Sequence, residues 1–287
     1  GGWRGGAVGR GGGRIDEGPA RGVRKMAVDE AILTAVSARD QPPTLRLYAW
    51  SPPCLSLGYA QKSTDVDFER AAALGWEVVR RPTGGRAILH ADELTYSVAL
   101  PADDPLAGGG ILDSYRRLSR ALITGLEHLG AQVTAERRAA RTRETGAACF
   151  EALSHYEITS GGRKLIGSAQ TRRRGGVLQH GSLPLAGDIA RICDALAYPN
   201  ATAREAAKAG VRARAATLEQ ALGGRAVSWE SAAEAMVAGF VESFEIDFIP
   251  APLSAAEVEH AERLASEVYR HVERKGAAQM EGSHTNG

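Results

Sequence analysis

The chain has 287 residues, 44% hydrophobic and 24% charged, proportions that suit one large globular domain, with or without a small appendage. Its 35 Lys and Arg against 34 Asp and Glu leave no global field to draw in nucleic acid, and cysteines at 54, 149 and 193 are too few and too irregular for a disulfide framework. No run of about 18 apolar residues is available to span a bilayer, so a cytoplasmic protein with neither nucleic-acid nor membrane partners is expected.

Residues 1–21 are Gly- and Arg-rich without the apolar stretch of a signal peptide and are expected to be a disordered leader. Met26, Ala27, Ile32, Leu33 and Val36 fall near one face of a helix over Lys25 to Ser37. Leu45, Leu47 and Ala49 alternate with Arg46, Tyr48 and Trp50, as in a half-buried strand. A short strand follows from Leu55 to Gly58, then a short helix from Asp65 to Leu74, closed by Gly75. Strands are expected over Trp76 to Arg81 and Glu93 to Leu100, with Thr83-Gly84-Gly85-Arg86 between them. Ile111, Tyr115, Leu118, Leu122, Leu126 and Leu129 mark the clearest amphipathic helix, stopped by Gly130.

The polar stretch Glu136 to Gly146 reads as a loop. After it comes a meander: strands His155–Thr159, Lys164–Gln170 and Val177–Leu183, turning at Gly161-Gly162 and Gly175-Gly176. The remainder is helical apart from a strand near Glu245–Ile249, and Ser254 with Glu257 forms a capping box for the last helix. Strands and helices mixed without regular alternation favour an α+β fold, its mixed sheet largely antiparallel and flanked by helices.

Few residues can carry chemistry. Gly84-Gly85 directly after a strand would let backbone N–H groups approach a carbonyl or phosphate; ordinary turn glycines would look the same. Cys149 ends an arginine-rich loop, where nearby cations favour the nucleophilic thiolate; a structural cysteine is the alternative, and it suffices for Cys54 and Cys193. Lys164 interrupts a small, apolar strand, either as an edge guard or as a charge held over a pocket. His90 and His180 suit satisfied polar residues at strand ends better than general bases. The arginines at 137, 138, 141 and 143 and at 172–174 read as solvated loops unless they border the pocket, where they would attract an acidic partner. Metal-ligand spacing, a Walker loop, a Rossmann fingerprint and Gly-x-Ser-x-Gly are all missing from the sequence.

The segments Arg80–Val98 (RRPTGGRAILHADELTYSV) and Ala148–Leu183 (ACFEALSHYEITSGGRKLIGSAQTRRRGGVLQHGSL) closely resemble the lipoyl/biotin protein ligase catalytic domain family, in particular its octanoyltransferase branch. Met26 to Ala31 and Trp50 to Tyr59 extend the resemblance, which covers about residues 22–250. It implies a class II synthetase-like fold over 22–250, and residues 251–287 beyond it read as a C-terminal helix and disordered tail. The implied activity needs no cofactor. Octanoate passes from acyl carrier protein to a cysteine, then to a lysine of a lipoyl-accepting protein such as the glycine cleavage H protein.

On this resemblance Cys149 is the nucleophile and Lys164 the cation that activates it. Arg81, Thr83, Gly84, Gly85, Arg86, His90, Gly167, Ser168, Ala169 and His180 would line the substrate site. Oxyanion donors would come from the backbone at Gly84-Gly85 or Gly167-Ser168, and Leu165, Ile166 and Ala169 would contribute to an acyl slot. Lys164 or His155 would assist proton loss from the acceptor lysine. Ala91 after His90 departs from the wider family, where His-Asp is common. Two rival readings remain: an ATP-dependent lipoate or octanoate ligase, against which the bulk of Arg86 and the short C-terminal segment count, and a non-catalytic binding protein for an acidic partner.

Overall fold

A computed structural model of the protein describes residues 10–136 and 157–269. The strands are β1 (Arg10–Ala20), β2 (Thr44–Trp50), β3 (Cys54–Leu57), β4 (Glu77–Arg80), β5 (Ile88–His90), β6 (Glu93–Pro101), β7 (Thr134–Glu136), β8 (Glu157–Ser160), β9 (Arg163–Arg173), β10 (Gly176–Pro184) and β11 (Ile246–Pro250). The helices are α1 (Gly22–Ala38), α2 (Phe68–Ala73), α3 (Ile111–His128), α4 (Ala201–Arg214), α5 (Leu218–Ala221), α6 (Trp229–Phe244) and α7 (Ala255–Leu264), the last running on into a π-helical turn over Ala265–Tyr269.

Eight strands form one mixed sheet in the order β11-β1-β2-β6-β10-β9-β8-β7. β1 is parallel to both its neighbours, and every pairing from β2 across to β7 is antiparallel. Alternation along β2 and β6 sends Leu45, Leu47, Leu94, Tyr96 and Val98 into a core with Leu118, Leu122 and Leu126 of α3 and Met236 and Phe240 of α6. Gly125 and Gly239 let α3 and α6 cross closely, because a side chain on either would strike the backbone of the other helix. The opposite face packs Tyr48 and Trp50 against Met26, Ile32 and Leu33 of α1, over which Ala261, Leu264 and Tyr269 close. The Tyr269 hydroxyl donates to Glu30 at 2.7 Å. The capping box expected at Ser254 and Glu257 is present.

Three expectations are corrected. Residues 10–20, assigned to a disordered leader, form β1; residues 1–9 lie outside the described part. Glycines carry no periodic side-chain signal, yet β1 gains backbone pairing on both edges, and its Glu17 receives Lys25 and Arg46. β2 is not half-buried: Arg46 and Tyr48 are both 0% exposed, because α1 covers that face and brings Asp29 to Arg46 at 2.6 Å. Finally, Thr83–Arg86 does not join the two strands expected on either side of it, because the short strand β5 intervenes. β3 lies between β4, to which it is parallel, and β5, to which it is antiparallel, so the connection from β4 to β5 crosses over the end of β3.

The Arg46 guanidinium is shared between Asp29 and Glu17. Burial would raise the Asp29 pKa, but the Arg46 charge and a hydrogen bond from His180 bring it down to about 2. Replacing Arg46 by Met leaves the buried Asp29 carboxylate without its arginine, while Glu17 keeps Lys25 and Arg24, and the expected loss is about 3–5 kcal/mol. Urea unfolding at constant slope measures it; a midpoint equal to that of the wild type would show that the acids find other partners.

Candidate active site

Cross-strand register brings the candidate residues to one face of the sheet. His180 pairs with Ser97 of β6 and Ala169 of β9, and Ser182 pairs with Thr95 and Gly167. Directly opposed residues share a face, so His180, Ser182, Ala169, Thr95 and the position of Gly167 all look toward α1. The small sheet β4-β3-β5 roofs this face. Between them lies a narrow cavity of about 10 Å³, lined by Met26, Tyr48, Trp50, Arg81, Ile88, His90, Thr95, Ala169, His180, Gly181 and Ser182.

Two histidine chains fix the Arg81–Arg86 loop above it. In the first, the Thr83 hydroxyl lies 2.6 Å from His180 Nε2, and His180 Nδ1 faces Asp29 at 3.4 Å. Loss of hydration lowers the His180 pKa, against the opposing pull of Asp29. The ring is therefore neutral at pH 7, with Nδ1–H toward the carboxylate and Nε2 accepting from Thr83. The same carboxylate accepts from Tyr48 at 2.8 Å and Ser97 at 2.7 Å.

In the second chain, Arg81 donates to Ser56 Oγ at 3.2 Å, Ser56 lies 2.8 Å from His90 Nε2, and His90 Nδ1 lies 3.0 Å from Glu93. Glu93 also accepts from Thr95, which in turn accepts from the Trp50 indole at 2.8 Å. Trp50 stacks on His90 with ring centroids 4.0 Å apart.

Arg81 itself is 2% exposed and donates to the carbonyls of Ser56, Gly84 and Arg86 at 2.9, 2.8 and 2.7 Å. A trans peptide points its N–H opposite to its C=O, so the Gly85 N–H faces away from the guanidinium. Arg80 performs the same service for the neighbouring turn, donating to the carbonyls of Gly58, Tyr59 and Gln61. Gly85 takes φ 95°, in the left-handed region. Arg86 lies outside the cavity, 3.8 Å from Asp65 on a surface groove.

Lys164 is 3% exposed and pairs with Glu157, likewise buried, at 2.7 Å. Its Cε lies 3.3 Å from where a Gly167 side chain would begin, so the absence of that side chain is what lets the lysine lie along the face shared with Ser182. Ser168 points the other way, its hydroxyl 2.7 Å from Tyr96 on the α3 side. Leu165 and Ile166 also belong to the α3-side core rather than to the slot, which leaves Ala169 as its apolar lining from that segment. Cys149, His155 and the arginines at 137–143 lie outside the described residues. Arg172 is committed to the carbonyls of Ala107, Gly109 and Gly110, and Arg173 and Arg174 to Glu30. These three thus make fold contacts, while Arg172 and Arg174 remain exposed to solvent as expected.

Sequence reasoning missed Asp29, Ser56, Gly58, Glu157 and Ser182. Alternation alone would have flagged Ser182, two residues past His180 on a fully buried strand. Gly58 carries no such signal; its role is to leave room for the Gly85 carbonyl, which any side chain there would overlap.

A mixed sheet of this order, with a clamped glycine turn and a buried lysine on one face, defines a catalytic domain of the class II synthetase-like type. A profile of the lipoyl protein ligase A/B catalytic domain matches residues 22–241, and the chain belongs to that family. It is 45% identical to Octanoyltransferase LipM of Moorella thermoacetica, over 85% of this chain and 90% of that one. It is 43% identical to Octanoyltransferase LipM of Exiguobacterium sibiricum, over 85% and 91%. Among solved structures, a bipartite lipoate protein ligase from Thermoplasma acidophilum superposes with a TM-score of 0.74 at 25% identity, over 89% of this chain and 92% of that one.

Two outcomes test the clamp. Gly58→Ala forces the Gly85 carbonyl aside, so catalytic activity should fall at least tenfold while far-ultraviolet circular dichroism stays unchanged; full activity would show that the turn position is immaterial. The second concerns pH. An unfolded chain protonates the position-180 imidazole below about pH 6.5, whereas the buried ring stays neutral to lower pH, so its contribution makes stability fall as pH drops from about 6.5. In His180→Gln the urea midpoint should change less between pH 7.5 and 5.5 than in the wild type; equal changes would assign the acid sensitivity to other groups.

Proposed function

We propose that this chain is an octanoyltransferase that carries the acyl group on Cys149 and delivers it to a lysine of a lipoyl-accepting protein, with octanoyl-acyl carrier protein as donor and the glycine cleavage H protein as an acceptor, in the cytoplasm. Relatives named octanoyltransferase at 37–45% identity support the reaction class. The observation that carries the reading in the molecule is Lys164, whose buried ammonium pairs with Glu157 and whose side chain lies against Gly167, the residue directly opposite the cavity-lining Ser182.

A cation next to a thiol favours the thiolate. In the first step the Cys149 sulfur bonds to the thioester carbonyl carbon, and the carrier leaves as its thiolate. In the second, the neutral amine of the acceptor lysine bonds to the same carbon, the sulfur of Cys149 departs, and the nitrogen loses one proton, with Lys164 or His155 assisting. Both donors are thioesters, so no ATP is consumed. The Gly85 N–H, turned away from Arg81 by that arginine's hold on the Gly84 carbonyl, suits an oxyanion better than the backbone at Gly167-Ser168, which lies within the β9–β10 ladder. Each buried methylene contributes about 0.8 kcal/mol, so slot depth selects chain length.

Incubation with octanoyl-carrier protein should add one octanoyl group to the intact chain, mapped to Cys149, and an added acceptor should remove it. Cys149→Ala should transfer nothing while remaining folded. Lys164→Ala should slow thiol alkylation at neutral pH. Full transfer by Cys149→Ala would discard the covalent route. An ATP-dependent octanoyl-adenylate would instead establish a ligase, the second reading, which the structural likeness to the Thermoplasma acidophilum ligase supports.

A further inference from the structure

We infer that the Ser182 hydroxyl donates a hydrogen bond to the carbonyl oxygen of the acyl group during transfer, an assignment that rests on the acyltransferase reading above and adds a side-chain donor to it. The starting point is an imbalance inside the cavity. Six of its polar side chains are engaged: Tyr48 with Asp29, Trp50 with Thr95, Thr95 with Glu93, His90 with Ser56, His180 with Thr83, and Arg81 with the loop carbonyls. Ser182 is 1% exposed, and its Oγ has no hydrogen-bond partner among the described residues. A buried hydroxyl without a partner is disfavoured in the free protein and is kept where something else completes it.

The geometry indicates what completes it. Ser182 lies directly opposite Gly167 in the β9–β10 ladder, so its side chain rises from the same face as the absent Gly167 side chain. Lys164 Nζ is 3.8 Å from the point where that side chain would begin. Taking about 5 Å between opposed Cβ positions, the ammonium lies no more than about 9 Å from the Ser182 Cβ, on one face, with no side chain on Gly167 to separate them. The cavity that Ser182 lines has a volume of about 10 Å³, close to the space a single water-sized group requires. A carbonyl oxygen is of that size, it accepts hydrogen bonds, and it gains negative charge as the carbonyl carbon becomes tetrahedral. A hydroxyl donor on one side and an ammonium on the same face suit that developing charge.

The test uses the full chain with octanoyl-acyl carrier protein, following acyl-enzyme formation by quenched-flow intact-mass measurement alongside thermal unfolding. Ser182→Ala should slow acylation by about 10²-fold at saturating donor, with a smaller change in KM. Its thermal midpoint should equal or exceed that of the wild type, because an unsatisfied buried oxygen has been removed. Ser182→Cys, of similar size but a weak donor, should be slow as well. An acylation rate equal to the wild type in Ser182→Ala overturns the assignment alone and leaves the transferase intact, and so does a slow rate accompanied by a lowered midpoint, which would mark a packing role. A wild-type chain that takes up no octanoyl group overturns the transferase reading, and this inference with it.

Discussion

The site depends on a single buried carboxylate. Asp29 collects Arg46, Tyr48, Ser97 and His180 from three different strands. Its negative charge persists in a fully buried position chiefly because the guanidinium of Arg46 lies against it, helped by the hydrogen bonds from His180 and Ser97. Everything above the sheet follows from that charge. It sets the tautomer of His180, the tautomer gives Thr83 an acceptor, and Thr83 holds one end of the glycine turn. Hydrophobic burial alone could seat α1 on the sheet in several neighbouring positions; the directional bonds at Asp29 select one of them.

The same logic explains why arginines, rather than lysines, occupy positions 46, 80 and 81. Each reaches two or more acceptors with a planar fork of donors. Arg81 in particular ties the strand that precedes the turn to carbonyls on both sides of it. The turn is therefore shaped by inward-facing carbonyls, and its remaining amide edge is directed outward as a consequence. The shape of this turn is a by-product of satisfying backbone acceptors in a buried loop.

Much of this architecture was legible in the sequence wherever side chains repeat with a period. The leucines of α3, the strands β2 and β6, and the meander from β8 to β10 all stand at or near their expected places. β1 was illegible because Gly11, Gly12 and Gly13 offer no alternation to read, and its strand character comes from neighbours distant in sequence. β5 was missed because three residues are too few for a pattern. Within the site, Thr83, Gly84, Gly85, His180 and Lys164 were visible through their motifs. Asp29 and Glu157 were not, since a carboxylate on a helix or strand has no local feature that reveals a partner brought to it only by folding. Arg46 misled for the same reason: a charged residue in an alternating strand suggests solvent until the covering helix supplies its counter-charge.

The placement of β1 has a consequence for synthesis of the chain. β1 can pair with β2 as soon as β2 emerges, but its other edge waits for residues 246–250, the segment that finally covers it. Until residues 246–250 are made, that edge is an open template for pairing with another nascent chain. Its glycines and the charge of Arg14 give a passing strand little apolar surface to grip. The composition that hid β1 from pattern recognition thus protects the unfinished sheet while the ribosome completes it.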